Sequence, residues 1–259
     1  HSIMCGIVAY VGKKPCQSLL LEGLKRLEYR GYDSAGIAVI QGGKLNLCKA
    51  VGRVANLEDK LESIGNFSGA IGICHTRWAT HGGVTEVNAH PHIDDKVGIA
   101  LIHNGIIENY AALKTYLQEK GHVFKSQTDT EVLAMLIGEL YEGDLEKAVQ
   151  AALREVTGAY AIAVICEKEP ETLVVARKGS PLIVGIGANE YIVASDASAI
   201  VSHTAQAITL DDYNVVKITP AGFRTSTIHD VPVTPKIEQL ELELQEIELG
   251  GYSHFMQKE

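Results

Sequence analysis

Helix patterns occupy the middle of this 259-residue chain, and β-strand patterns lie on both sides of them. Apolar residues at helical spacing predict helices over residues 110–120, 129–142 and 145–156, and one earlier helix after Pro15. Strand patterns precede this block at residues 6–11, 35–40, 45–50, 69–76 and 97–103, and follow it at 159–166, 172–177, 182–187, 191–195 and 215–219. Strands and helices do not alternate as they would in a parallel sheet. The order therefore predicts an α+β fold in which two sheets and their helices form separate layers.

Two short motifs predict how these elements begin and connect. The sequence Gln41-Gly42-Gly43-Lys44 separates two strand patterns and has glycines where a hairpin turn needs positive φ. Thr128, followed three residues later by Glu131, has the spacing of a capping box at the start of a helix.

Composition excludes several classes of protein. The net charge is −9, and no Lys/Arg cluster is interleaved with aromatic residues, so we expect no nucleic-acid partner. No apolar run approaches the ~20 residues of a membrane-spanning helix, so we expect no membrane partner. The cysteines are odd in number, widely spaced and without a CxxC pair, which argues against a disulfide framework or a zinc ribbon and favours a reducing, cytoplasmic location: Cys5, Cys16, Cys48, Cys74 and Cys166.

Cys5 lies directly after Met4, at the start of the first predicted strand. Taken alone, it is best interpreted as a small core residue. If processing made Cys5 the first residue, however, it would carry a thiol nucleophile and an α-amine with a pKa of about 8 that can act as its base. We interpret residues 1–3 as an added extension and Met4 as the initiator, with an autocatalytically removed propeptide as the alternative. With residues 1–4 attached, we expect little or no activity that depends on this amine.

The densest polar segment, CHTRWATHGG at residues 74–83, follows a predicted buried strand. Arg77 could hold a carboxylate through two hydrogen bonds, and Thr80 with the backbone N–H groups of the glycine-rich turn could add donors. The alternative is a surface arginine beside a Trp78 that covers the core.

Two further segments carry candidate functional groups. Asn104-Gly105 ends a predicted strand and could supply a side-chain amide and a backbone N–H to an oxyanion, although Asn-Gly also commonly forms a tight turn. Asp129 lies in the first turn of a predicted helix, where a carboxylate either favours the helix dipole or binds an ammonium group.

Five histidines fall within 29 residues, but their spacing matches no zinc or facial-triad motif, so we expect no metal: His75, His81, His90, His92 and His103. The glycines match neither GxxxxGK[ST] nor GxGxxG, so we expect no nucleotide cofactor.

Several long motifs together resemble the class II glutamine amidotransferases. They are CGIV (5–8), LEGLKRLEYRGYDSAG (21–36), HTRWATHG (75–82), VNAHPH (87–92), HNGIIEN (103–109) and SQTDTE (126–131). The similarity extends from Cys5 to Glu259, and HTRWATHG and LEYRGYDSAG are most similar to the branch that delivers ammonia to a sugar phosphate.

The resemblance implies an N-terminal-nucleophile (Ntn) hydrolase fold, a four-layer α/β/β/α sandwich. It implies that Cys5 is the nucleophile, that its own α-amine is the base, and that Asn104 and Gly105 form the oxyanion hole. The activity implied is hydrolysis of L-glutamine through a thioester, without a cofactor.

The resemblance also assigns the substrate-binding residues. Arg77 would bind the α-carboxylate of glutamine and Asp129 its α-ammonium. Thr80 and His81 would line the pocket, while Trp78 would gate the passage of ammonia.

The domain organisation is likewise implied by the resemblance. Residues 5–229 would form the amidotransferase domain, and residues 230–259 would lead to a sugar-phosphate isomerase domain that is absent here. The full-length enzyme is expected to be a homo-oligomer, and this chain alone should hydrolyse glutamine without aminating a sugar.

Three alternatives stay open. A non-catalytic glutamine-binding module is favoured if the Cys5 nitrogen remains an amide. A sister amidotransferase would feed a different acceptor, and the residues after Glu259 would distinguish it. A structural interaction domain leaves Cys5, Arg77, Asn104 and Asp129 unexplained.

Overall fold

The structure is a computed structural model that describes residues 5–79 and 82–240. Within these residues the strands form two antiparallel sheets. The first sheet has eight strands, in the order β14 (Ile237–Gln239), β11 (Gln206–Thr209), β9 (Ile183–Ile186), β10 (Tyr191–Ala194), β1 (Gly6–Val11), β4 (Ile71–Arg77), β2 (Ser34–Gln41) and β3 (Lys44–Val51). The second has six, in the order β13 (Gly222–Thr227), β12 (Asn214–Thr219), β8 (Glu169–Lys178), β7 (Gly158–Cys166), β6 (Ile99–Ile107) and β5 (His92–Asp94).

Helices cover the outer face of each sheet. The first sheet packs against α1 (Gln17–Leu27) and α2 (Val54–Ile64), and the second against α3 (Tyr110–Glu119), α4 (Asp129–Leu140) and α5 (Leu145–Arg154). A third apolar cluster fills the space between the sheets. The layers are therefore α/β/β/α, as predicted.

Strand alternation builds these cores. On β1, Ile7 and Ala9 point into the cluster between the sheets, whereas Val8 and Tyr10 point toward the helices of the first layer. Because successive side chains of a strand point to opposite faces, a strand buried on both faces reads as a continuous apolar run, as GIVAYV does.

The predicted strands and helices are all present, with ends shifted by a few residues. Gly42 and Gly43 have φ of 58° and 75°, as the predicted hairpin turn requires. The Thr128 side chain accepts a hydrogen bond from the Glu131 N–H, which confirms the helix start. Helix α2 and the strands β5, β11, β13 and β14 were not predicted.

The segment after residue 229 also contributes to the fold. Strand β14 pairs with β11 at one edge of the first sheet, and Leu240 is buried in the cluster beneath the helices of that layer. In the described part of the chain, no helix is long and apolar enough to cross a membrane.

Candidate active site

A cavity of about 590 Å³ opens where the ends of β1, β4 and β6 meet the start of α4. Six of the eight predicted site residues line it: Cys5, Arg77, Trp78, Asn104, Gly105 and Asp129. The other two, Thr80 and His81, lie outside the described residues. Strand pairing explains the convergence on the first sheet, because Gly6 lies opposite Thr76 and so places Cys5 beside the end of β4.

The Cys5 thiol lies against the backbone that follows β4. The Trp78 N–H donates a hydrogen bond to Cys5 Sγ at 3.1 Å. Burial raises the pKa of this thiol, while the hydrogen bond from Trp78 and the nearby Arg77 charge lower it in part. Because burial is the largest of these effects, the thiol needs a base to become a nucleophile at neutral pH.

Asn104 and Gly105 lie beside Cys5 on the second sheet. The Asn104 Nδ2 donates to the Cys5 carbonyl oxygen at 2.8 Å. Gly105 has a φ of +120°, and a Cβ at this position would lie 2.2 Å from the Ala159 carbonyl oxygen on β7. This strand end therefore requires glycine, and its side-chain amide and backbone amide line the same cavity as Cys5.

Arg77 and Asp129 form a pair of buried opposite charges in the cavity wall, each 3% exposed. The Arg77 Nη1 donates to the Gly83 carbonyl at 3.0 Å. Burial lowers the pKa of Arg77, and the negative charges of Asp33, Cys5 and Asp129 oppose that shift. Asp129 Oδ2 accepts a hydrogen bond from the Ile107 N–H at 2.8 Å. A cation and an anion in one small cavity suit a zwitterion.

Trp78 lies on the loop that covers the thiol. Its ring packs on Gly31, where a Cβ would approach the ring to 3.0 Å, and the side chain is 38% exposed. Asp33 Oδ2 accepts a hydrogen bond from the Ala79 N–H. The segment around Gly31 therefore positions this loop, a role that its spacing alone did not predict.

Sequence reasoning missed several residues of the cavity wall. They come from parts of the chain far from the predicted motifs, or from motif positions without an assigned role: Arg30, Ile106, Glu108, Thr130, Ala159, Ser180, Pro181 and Ser195. Ser195 Oγ accepts a hydrogen bond from the Ile7 N–H at 3.1 Å and so joins the end of β10 to β1. This contact spans 188 residues, and no local pattern encodes it.

Four of the five clustered histidines are buried together, and two of them, His90 and His103, line the cavity: His75, His90, His92 and His103. The rings of His75 and His90 stack at 4.0 Å, and His103 Nδ1 lies 3.0 Å from Thr130 Oγ1. Burial lowers the pKa of His75, His90 and His92, which keeps these rings neutral. Among the described residues, no group of three or more His, Cys, Asp or Glu could hold a metal ion. Their rings instead bond to the Thr128 and Thr130 hydroxyl groups at the start of α4 and to backbone of the second sheet.

The chain is similar in sequence to known proteins over most of its length. A family model described as a glutamine amidotransferase domain matches residues 62–243. The glutamine–fructose-6-phosphate aminotransferase (isomerizing) of Chlorobaculum tepidum is 49% identical, with 99% of this chain and 42% of the relative covered. The same enzyme of Bacteroides thetaiotaomicron is 51% identical with the same coverage.

Solved structures are similar over most of the sandwich. The glutamine phosphoribosylpyrophosphate amidotransferase of B. subtilis has a TM-score of 0.75 and 28% identity, covering 86% of this chain and 49% of that one. This similarity confirms the predicted Ntn-type sandwich. The chain spans about two fifths of the length of the relatives it matches. By the extent of the family match and the identity to these relatives, the chain belongs to the glutamine amidotransferase domain family.

Proposed function

We propose that this domain hydrolyses L-glutamine to glutamate and ammonia through a thioester on Cys5. The observation that supports this most is one cavity lined by the Cys5 thiol, two candidate oxyanion donors and a buried pair of opposite charges. Each part matches one part of glutamine: the thiol its amide carbon, the donors its amide oxygen, and the charges its α-amino acid group.

Glutamine would bind through its charged end. Arg77 binds the α-carboxylate and Asp129 the α-ammonium, which directs the side-chain amide toward Cys5. Asp129 Oδ1 accepts no hydrogen bond from any described residue and so has capacity for the ammonium. Thr80 and His81 are proposed to complete this wall, and Trp78 to cover the leaving ammonia.

The reaction then takes two steps. The Cys5 thiol transfers its proton to the α-amine, and the thiolate attacks the amide carbon to form a tetrahedral oxyanion that Asn104 Nδ2 and the Gly105 N–H stabilise. Collapse of this intermediate breaks the C–N bond. The protonated α-amine of Cys5 returns its proton to the leaving nitrogen, so ammonia departs. The amine next takes a proton from water, hydroxide attacks the thioester, and glutamate leaves as the thiol is restored.

The names of the relatives support a proposal for the acceptor of the ammonia. Both similar enzymes are named for fructose 6-phosphate amination and are more than twice as long as this chain. We propose that the domain supplies ammonia to a sugar-phosphate isomerase domain of the same chain, in a cytoplasmic homo-oligomer. The domain alone should release ammonia without aminating the sugar phosphate.

Ammonia release tests the proposed function. Protein that begins at Cys5, the same protein with Cys5→Ala, and protein that keeps residues 1–4 are compared with glutamine as substrate. We expect robust turnover from the first alone. Robust turnover with residues 1–4 attached would contradict the α-amine as base.

Calorimetry on the same three proteins distinguishes catalysis from simple binding. Glutamine binding without ammonia release from the protein that begins at Cys5 would favour the non-catalytic module. Absence of both glutamine binding and ammonia release would contradict the glutamine site itself.

A further inference from the structure

His75 is a buried side chain that the proposed reaction does not use. It lies on β4, is fully buried, and reaches across to the second sheet. Its Nε2 lies 3.0 Å from Asn104 Oδ1 and 3.1 Å from the His103 carbonyl oxygen. The Asn104 amide is therefore held between His75 on one side and the Cys5 carbonyl on the other.

Two backbone oxygens determine which atoms carry hydrogen in this arrangement. The His103 carbonyl can only accept, so His75 Nε2 must carry a proton. The Asn104 atom beside that nitrogen must then be Oδ1. Independently, the Cys5 carbonyl can only accept, so the Asn104 atom beside it must be Nδ2. Both anchors give the same orientation of the amide.

The ring of His75 stays a neutral, single-proton donor. Burial lowers its pKa to about 3. Its Nδ1 is buried without a hydrogen-bond partner among the described residues, so a second proton there would have no acceptor. The neutral His90 ring stacks on it with an interplanar angle of 10°, which leaves the ring little freedom to turn.

We propose that His75 is a positioning residue that holds the Asn104 amide with its NH₂ group toward Cys5, ready to donate to the oxyanion. The inference rests on the proposed function, because Asn104 matters here as an oxyanion donor. One hydrogen of Asn104 Nδ2 is donated to the Cys5 carbonyl oxygen, and the second hydrogen is available to the developing oxyanion. Rotating the amide by 180° would instead place Oδ1 against the Cys5 carbonyl oxygen and the oxyanion, neither of which can donate a hydrogen bond.

A matched pair of variants in protein that begins at Cys5 tests this. A glutamine side chain extends an amide N–H to the position of Nε2, whereas an asparagine side chain reaches only as far as Nδ1. We expect His75→Gln to keep kcat within about threefold. We expect His75→Asn to lose about 10- to 100-fold in kcat with little change in glutamine KM, less than the 10²–10³ typical of removing an oxyanion donor.

A double-mutant cycle separates positioning from general support of the fold. If His75 acts through Asn104, then His75→Asn causes little further loss in kcat when Asn104 is already alanine. Equal losses in both backgrounds, or a change confined to KM, would overturn the inference. Absence of turnover in the unmodified protein would instead contradict the proposed function.

Nitrogen NMR of the unmodified protein tests the same inference without a variant. The His75 ring should carry its proton on Nε2, and not on Nδ1, from pH 5 to pH 8. An Nδ1–H tautomer or a doubly protonated ring in this range would overturn the inference even if His75→Asn fails to fold.

Discussion

The Cys5 thiol needs a base, and its own α-amine is the proposed one. The thiol lines a cavity and receives the Trp78 N–H, yet burial raises its pKa above the ordinary value. A buried thiol with a raised pKa is mostly protonated at neutral pH and is a weak nucleophile. None of the neutral histidines lies in hydrogen-bond contact with Sγ among the described contacts. This supports the proposal that the α-amine of a terminal Cys5 acts as the base.

Replacing Asn104 should separate turnover from binding. Asn104→Ala removes one oxyanion donor, so we expect kcat to fall about 10²–10³-fold with little change in glutamine KM. Steady-state ammonia release measures both constants. Asn46→Ala, on the distant β2–β3 hairpin, is the matched control and should behave as the unmodified protein. Unchanged turnover in Asn104→Ala would remove this residue from the oxyanion hole.

Replacing Arg77 should mainly weaken binding. A hydrogen-bonded charge pair is typically worth about 1.5–3 kcal/mol, so Arg77→Ala should raise glutamine KM about 10- to 100-fold. Arg77→Lys keeps the charge but not the forked geometry, so its glutamine KM should lie between those of the unmodified protein and Arg77→Ala.

The control for Arg77 is Arg26→Ala, an exposed arginine on α1. It should leave both kinetic constants unchanged. A loss confined to kcat in Arg77→Ala would contradict the proposed carboxylate contact, and thermal unfolding checks that the variant is folded.

At the scale of elements, local patterns predict what local interactions stabilise. The hairpin at Gly42-Gly43 and the Thr128 cap depend on neighbours in sequence, and both were predicted. Strands β5 and β14 have three residues each and exist through pairing with distant strands, so no periodicity marks them. Helix α2 does carry a helical pattern in the sequence, since Val54, Leu57 and Leu61 share its buried face.

Only part of the candidate site could be predicted from the sequence. The long motifs predicted roles for Cys5, Arg77 and Asn104, and all three line the cavity. They did not identify Ser195 or Ala159, which reach the cavity only through sheet pairing and have chemically ordinary side chains.

The junction of β6 and β7 offers a prediction at this scale. Gly105→Ala combines a positive φ with a Cβ that would lie 2.2 Å from the Ala159 carbonyl, so the strand end must shift. Gly121→Ala is the matched control, since its φ is +93° but nothing lies within 4 Å of the added Cβ. We expect the free energy of unfolding of the control to fall by about 1–2 kcal/mol from backbone strain alone.

Urea unfolding and ammonia release together test the Gly105 contact. Gly105→Ala should lose more free energy of unfolding than Gly121→Ala, and should also lose turnover because the oxyanion donor moves. Equal destabilisation of the two variants with normal turnover would show that the close approach to Ala159 is unimportant.

At the scale of the whole molecule, the site exists only when the layers are assembled. Cys5 precedes β1 of the first sheet, Asn104 belongs to β6 of the second, and Asp129 begins α4 in the outer layer. The buried histidines lie where these layers meet, and His75 of the first sheet bonds Asn104 of the second. The polar cluster therefore joins the sheets at the site, where the apolar core between them ends.

This cluster makes the stability of the fold depend on pH. The pKa values of His75, His90 and His92 are lowered in the folded state, so between those values and the ordinary value of about 6.5 the unfolded chain binds more protons. Their stabilisation is complete above about pH 6.5 and is lost as the pH falls. Each histidine contributes a slope of up to about 1.4 kcal/mol per pH unit.

Urea unfolding of the unmodified protein and of His92→Gln, from pH 7 to pH 5.5, tests this dependence. The variant removes one titrating ring, so its free energy of unfolding should fall less steeply with acid, by up to about 1.4 kcal/mol per pH unit. Ile73→Val is the control, because it trims the core between the sheets without a titrating group and should lower stability equally at every pH. Parallel slopes for His92→Gln and the unmodified protein would mean that His92 is protonated alike in the folded and unfolded states. Asp94 and Glu146, whose pKa values burial raises, act in the opposite direction, but they are common to all three proteins and cancel in the difference.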